Sequence, residues 1–452
     1  MIQMEDRYSR RLDDYVKGNR ARLIEIVRNL VRIPSENSPP LGNEKACQEY
    51  IATFLERLNW ETELYELDEV KGLQENPLFW PGRDYSGRPN VSAHLRGSGQ
   101  GRSLVLSGHV DTVPVGSGGW TKKPFGGEIE GNRLYGRGSN DMKAGVGASL
   151  FVAEALRELE LKPSGDLIVE SVVDEEFGGV NGTLAGRLKG FNGDAAVIGE
   201  PTSLEICPAQ RGGHFAHVVF ESPGGILSHG RQGVGVIDQV RRFLIGIEEF
   251  AELRRRSAGV HELYAHEADP VPVIVTRLFT APWGMDEPIG IPETCKVQVY
   301  WQSMPGESPQ NVQTQFEVWL DELIDGLPEL FVRKPVVEFP IRMLPPSSIS
   351  CDEPLVREFL ECAGQSLGRE PAVVGMDAPC DMYVFHRFGV PAVLWGPEGG
   401  NTHTVDEYVE IDSLVDAARV LLRFVCRWCG ILFSVLGSGS LRSRFWVLGS
   451  RF

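Results

Sequence analysis

Three short apolar runs, each breaking off at a glycine, a histidine or a cluster of acids, constrain this chain more than any other feature. They are Leu104-Val105-Leu106 within Ser103 to Gly108, ahead of His109; Leu167 to Val173, ahead of Asp174-Glu175-Glu176; and Ala195 to Ile198, ahead of Gly199-Glu200. Each is short for a helix and lacks polar alternation, so each is predicted to be a strand buried on both faces. Helical patterns lie around them. Arg20 to Arg32 places Leu23, Ile26, Val27, Leu30 and Val31 on one stripe before Pro34 ends it. Glu44 to Leu58 repeats that pattern, and Lys143 to Leu159 is rich in Ala and Leu. Strands alternating with helices predict an α/β fold with a mostly parallel central sheet flanked by helices.

The texture changes near Gln210 and returns after Pro345-Pro346. In between, Phe215 to Phe220, Lys296 to Gln302 and Val336 to Ile341 read as strands, and Val234 to Phe250 and Val312 to Leu323 as helices. Two strand–helix units in that order predict a small α+β domain. Beyond it, Leu355 to Leu367 and Ile411 to Cys426 read as helices and Ala392 to Trp395 as a strand. The expected organisation is a catalytic domain built from 1–209 and 344–430, an inserted α+β domain at 210–343, and a disordered tail at 431–452. A chain of 452 residues has room for both units.

Composition excludes some classes of function. A formal net charge of −17 argues against a general binder of nucleic acid or anionic membrane. The charged start, Met1 to Lys17, lacks the apolar core of a signal peptide, and no stretch reaches the roughly 20 apolar residues that span a bilayer. The eight cysteines are irregularly spaced, and Cys426 and Cys429 form a CxxC without the second pair a zinc ribbon needs. A cytoplasmic protein with reduced thiols is expected.

Carboxylates and histidines gather just past the predicted strands, where open α/β sheets bind their ligands. His109 and Asp111 are two apart, so on extended chain they point to one side. The His could hold a metal while the Asp orients its ring, although a lone His-x-Asp also arises by chance. Asp141, in Gly136-Arg137-Gly138-Ser139-Asn140-Asp141, sits where a glycine-rich loop meets a helix start, a place that favours Asp for capping alone. Asp174-Glu175-Glu176 repel one another unless a cation neutralises them or a turn solvates them. Glu200 follows another strand, and His403 lies in Asn401-Thr402-His403-Thr404-Val405-Asp406-Glu407. Two imidazoles and several carboxylates without thiolates suit two divalent ions, typically zinc. One acid can bridge the ions and a spare glutamate can take a proton from water.

The segments SGHVDTVP, GRGSNDMKAG, DEEFGG, GEPT and THTVDEYV, in this order, resemble the M20 family of metallopeptidases and deacylases, which includes acetylornithine deacetylases, aminoacylases and carboxypeptidases. The resemblance spans residues 20 to 430 and implies a catalytic α/β domain with an inserted lid. It implies His109 and Glu200 on one zinc, Glu176 and His403 on the other, and Asp141 bridging, with cobalt or manganese as alternative metals. Asp111 would support His109, and Glu175 would be the general base acting on a water between the ions. Ser228-His229 best matches a lid histidine that stabilises the oxyanion, with a plain surface-loop histidine as the alternative. His214 and His217, three apart on one strand, read as lid structure. Gly396-Pro397 matches a loop lining the substrate pocket. The implied activity is hydrolysis of an amide in N-acyl amino acids or small peptides, by a homodimer paired through the lid.

The lid departs from the family pattern. Gly235 stands where relatives often carry an Asn, and Gln302, three residues before Pro305-Gly306, where they often carry an Arg. Both changes weaken the usual grip on a substrate carboxylate, so no named substrate is assigned. Three readings compete with a deacylase: an exopeptidase of the same family, a two-metal phosphoesterase, and a non-catalytic peptide-binding relative. The phosphoesterase lacks extra cations near the metal loops, and the non-catalytic relative should have lost a ligand or the base. No Gly-x-Ser-x-Gly follows a strand, so a serine hydrolase has no support.

Overall fold

The computed structural model describes residues 2–223, 225–226, 234–280 and 290–431. The strands of its two principal sheets are, in chain order, β1 (Glu61–Tyr65), β2 (Asn90–Leu95), β3 (Leu104–His109), β4 (Leu167–Val172), β5 (Ala196–Ile198), β6 (Ile206–Gln210), β7 (Gly212–Glu221), β8 (Val273–Thr280), β9 (Thr294–Ser303), β10 (Val336–Glu338), β11 (Ser347–Ser348), β12 (Val373–Met376) and β13 (Ala392–Leu394). A 9-stranded sheet has the order β11-β6-β13-β5-β3-β4-β2-β1, with β12 also paired to β6. Its centre, β13-β5-β3-β4, is parallel. Antiparallel pairs close both sides, β4-β2-β1 on one and β13-β6-β11 on the other.

Alternation explains why the central strands begin as apolar runs without a polar face. Leu104 and Leu106 of β3 face one core cluster together with Leu23, Ile26 and Val27 of helix Arg20–Arg32, Phe151 of helix Lys143–Glu158 and Leu414 of helix Ile411–Trp428. Val105 faces a second cluster with Met382 and Phe385 of helix Met382–Arg387. Both faces are therefore buried. Helix Lys143–Glu158 lies so close to the end of β5 that a Cβ on Gly145 would stand 1.9 Å from the Gly199 carbonyl oxygen, so only glycine fits there. That contact ties the helix following Asp141 to the loop carrying Glu200.

The second sheet is antiparallel throughout, in the order β8-β9-β7-β10. Helices Val236–Ser257 and Pro309–Asp325 cover one face around a core of its own, containing Phe220, Phe243, Phe250, Trp301, Phe316 and Trp319. The expected strand to Ile341 stops at Glu338. Several elements were not anticipated, among them two that differ in kind from the rest. Helix Ile2–Gly18 has little apolar sequence but buries Leu12 and Val16, and β8 is an edge strand whose residues are mostly exposed. Among the described residues, no helix is long and apolar enough to cross a membrane.

His214 sits inside the lid, 1% exposed, stacked on Trp301 at 5.3 Å, with Nε2 3.1 Å from Ser303 Oγ and Nδ1 without a partner. Burial, followed by the nearby Arg254, pushes its pKa down to about 3. The unfolded chain then binds the extra proton, so this contribution is complete above the ordinary value of 6.5 and is lost as pH falls towards about 3. Relative to His214→Phe, the wild type is expected to lose about 1.4 kcal/mol per pH unit below that value. Chemical denaturation from about pH 7 to about pH 5 measures it, and a constant difference between the two proteins would contradict it.

Candidate metal centre

β3 ends on His109, which is 1% exposed. Its Nδ1 donates to the backbone carbonyl of Asp111 at 2.9 Å, while the Asp111 carboxylate stays 3.6 Å away. Nε2 is left facing acids: Asp141 Oδ1 at 3.1 Å, Glu175 Oε2 at 3.8 Å and Glu200 Oε1 at 3.9 Å. The ring is therefore oriented by main chain, and the Asp111 carboxylate has other partners. Its oxygens accept from the backbone N–H of Glu175 at 3.0 Å and of Glu176 at 3.1 Å.

Those amides can reach Asp111 because the chain turns sharply after β4. Asp174 takes a left-handed φ of 65°, a conformation Asp tolerates better than most residues. Asn37 then bridges two acids with one amide group, donating to Asp111 at 2.9 Å and to Asp174 at 3.0 Å. The Asp174 carboxylate accepts from Tyr85 at 2.6 Å and lies 3.6 Å from Arg83 and 3.8 Å from Arg88. Of the three consecutive acids, Asp174 thus anchors the loop, and Glu175 and Glu176 enter the cluster.

His403 arrives from the other side, on a loop turned by left-handed residues at Asn401, His403 and Asp406. Its Nε2 lies 2.8 Å from Glu176 Oε2 and 3.2 Å from Asp141 Oδ2. Asp141 therefore spans both imidazoles, one oxygen to each. Two overlapping groups of three, both drawing on His109, could hold an ion: His109, Glu175 and Glu200, or His109, Asp141 and Glu176. The donor set of two imidazoles and four carboxylates fits hard-to-borderline divalent ions such as zinc.

The charges are consistent with that fit. Burial, reinforced by Glu200 and Asp381, pushes Glu175 well above the ordinary carboxylate range, and burial with Asp141 does the same to Glu200. Glu176 is pushed up to about 7 by burial and by Asp141. Burial alone would lower His403, but hydrogen bonds to Asp141 and Glu176 raise it to about 11.

Gly396 and Pro397 are buried, and a Cβ on Gly396 would stand 2.2 Å from the Glu200 carbonyl oxygen, so this loop packs on the ligand loop itself. His229 lies outside the described residues. Gln302 accepts from Arg211 at 2.8 Å and donates to the Asp377 carbonyl at 2.6 Å. Sequence reasoning missed Asp381, a buried acid that receives the Thr183 hydroxyl and raises both Glu175 and Glu200. It falls shortly after β12, the same position past a strand that marked the other acids, but no histidine or glycine-rich loop accompanies it.

The model of the family "Peptidase family M20/M25/M40" matches residues 105–427. The chain belongs to this family. Among curated relatives, an N-formyl-4-amino-5-aminomethyl-2-methylpyrimidine deformylase from Halalkalibacterium halodurans is 27% identical over 446 residues, covering 92% of this chain and 96% of the relative. An acetylornithine deacetylase from Photorhabdus laumondii is 25% identical over 412 residues, covering 90% and 97%. Two solved structures share the fold: human carnosine dipeptidase 1, with a TM-score of 0.70 at 16% identity covering 93% of this chain and 100% of that one, and the dipeptidase Dug1p of Saccharomyces cerevisiae, with 0.73 at 13% covering 93% and 98%. The protein is thus an M20 metallo-hydrolase acting on amide bonds, with a catalytic and a lid domain.

Proposed function

We propose that this M20 enzyme is a deacylase that cleaves the amide of N-acyl amino acids or similarly small N-acyl amines with two zinc ions, the inserted lid running over 210–343. The observation that carries the two-ion reading is Asp141, whose oxygens lie 3.1 Å from His109 and 3.2 Å from His403. Asp141 would bridge, His109 and Glu200 would complete one site, and Glu176 and His403 the other. Bound zinc supplies Lewis acidity towards the substrate carbonyl and lowers the pKa of water. Glu175 takes the proton of the attacking water and delivers it to the leaving amine. Asp111 holds the backbone of Glu175 and Glu176 in place for that work. The Gly396-Pro397 loop flanks the pocket.

The deacylase reading is favoured because the curated relatives named above are a deformylase and a deacetylase. The exopeptidase reading stands second, on the dipeptidase names of the structural relatives. Metal analysis of purified protein, coupled to a screen of N-formyl, N-acetyl and N-succinyl amino acids and dipeptides with zinc or cobalt, separates them. Two ions per chain and amine release from acyl substrates alone support the proposal. Cleavage confined to dipeptides replaces it with the exopeptidase, and no turnover with any metal overturns both.

His229 is proposed as the oxyanion donor. His229→Ala is expected to lower kcat by about 10²–10³-fold with both ions retained, and unchanged kcat would place the donor elsewhere. Pairing through the lid is supported by the exposed edge strand β8, with Ile274, Leu278 and Phe279 at 47%, 49% and 64% exposure. Light scattering should give twice the chain mass. A cytoplasmic location is part of this reading, on the irregular spacing of the eight cysteines.

A further inference from the structure

Glu407 lies four residues after His403 and is 1% exposed. Its carboxylate receives four N–H donors. Oε1 accepts from the backbone of Asn140 at 3.0 Å and of Asp141 at 3.1 Å, and Oε2 from the backbone of Gly138 at 3.0 Å and from Arg137 Nη1 at 2.7 Å. Three amides of one loop, those of Gly138, Asn140 and Asp141, converge on one anion as in an anion-binding nest, while the Ser139 N–H turns back to the Gly136 carbonyl. Here the anion belongs to the same chain and arrives from the opposite ligand loop. Gly138 has φ +78°, and a Cβ there would stand 2.5 Å from Thr112 Cγ2, so the loop needs glycine to make this turn. Arg137, 2% exposed and 5.2 Å over Trp120, supplies the countercharge.

The contact is the centre of a longer seam. Arg133, Leu134 and Tyr135 pair with Glu410, Val409 and Tyr408. The Gly136 N–H donates to the Glu407 carbonyl at 2.8 Å, and Asn140 Nδ2 donates to Thr402 Oγ1 at 2.8 Å. Residues 133–141 are thereby fastened to 402–410, the stretches that bear Asp141 and His403.

We infer that Glu407 is a positioning residue that docks the Asp141 loop on the His403 loop, so that a single carboxylate reaches both imidazoles. It is not a ligand, because both its oxygens are engaged by backbone and arginine donors. The inference rests on the two-ion reading of the site. Glu407→Gln keeps the size of the side chain but turns one oxygen into an N–H donor facing two other donors, so two of the four bonds are lost whichever way the amide points. Partners that hold a ligand in place typically govern metal affinity by about 10–100-fold.

The test is zinc titration of wild type and Glu407→Gln by calorimetry, with amide exchange on both metal-free proteins. The expected result is two ions on the wild type, and about 10–100-fold weaker binding of one of them in the variant. The amides of Gly138, Asn140 and Asp141 should be protected in the wild type and exchange faster in the variant, while those of the central sheet stay protected in both. Equal zinc affinity in the two proteins overturns the inference, and so does rapid exchange of the three amides in the wild type. That second measurement needs no variant and decides the matter if Glu407→Gln fails to fold. Fewer than two ions on the wild type falls instead on the two-ion reading, and the exchange data still rule on the docking.

Discussion

Glu175→Ala is expected to keep both ions and to lose about 10²–10⁴-fold of kcat. The substitution is clean because the main chain holds this loop. The Glu175 and Glu176 N–H groups bond Asp111, and Asp174 is fixed by Asn37 and Tyr85, none of which needs the Glu175 side chain. What is removed is one buried carboxylate near the reacting water. The geometry also allows Glu175 a place beside His109 and Glu200 around one ion. Metal analysis of the variant separates these roles. Loss of an ion makes Glu175 a ligand, and retained ions with undiminished kcat sink the general-base role.

Chelation is expected to abolish turnover, to lower the melting temperature by roughly 5 °C, and to be reversed by zinc. The cluster gathers Asp141, Glu175, Glu176 and Glu200 around two imidazoles, with Asp381 behind them. An ion present at a hundredfold its Kd adds about 2.7 kcal/mol to the folded state, and for a chain this large that is worth a few degrees. Because Asp141 and Glu176 raise His403 to about 11, zinc must displace a proton at neutral pH, so uptake weakens as pH falls. Calorimetry in two buffers of different ionisation heat reads the released protons. A metal-free protein that melts with the loaded one, or turns over after chelation, contradicts the two-ion site.

The central strands were legible because both their faces are buried: Leu104 to Leu106 is wholly apolar, and in Leu167 to Val172 the polar Glu170 and Ser171 are buried too, Glu170 against Arg187 at 2.6 Å. His109, Glu175, Glu176 and Glu200 were legible because they end or follow those strands, and Asp141 and His403 because they stand in the motifs GRGSNDMKAG and THTVDEYV. Helix Ile2–Gly18 was not, since it buries a narrow face through Leu12 and Val16 and is otherwise polar. β8 was not, because an edge strand with exposed residues has neither a buried run nor strict alternation. The connections that organise the site were invisible for a different reason. Asn37 meets Asp174 across 137 residues and Glu407 meets Asn140 across 267, and no local pattern marks such partners. The resemblance suggested that the Asp111 side chain orients His109, whereas in the structure the Asp111 main chain takes the ring N–H and the side chain binds the neighbouring loop.

The chain leaves the large sheet after β6 and returns to it through β11, and these two strands are antiparallel neighbours, Gln210 opposite Ser347. Just beyond them Gly213 and Leu344 exchange two backbone hydrogen bonds of 2.9 Å each. The departing and returning strands are thus already within hydrogen-bonding distance, and the aromatic core between them is distinct from the two main cores of the large sheet, the two parts meeting in a small cluster of Leu263, Tyr264, Val271 and Met304 with Ala209 and Val373. The lid is in that sense a cassette. A tight turn grafted between β6 and β11 would span the gap, but it would uncover Ala209 and Val373, on which Leu263, Tyr264 and Met304 now pack, and would take His229 away with the lid.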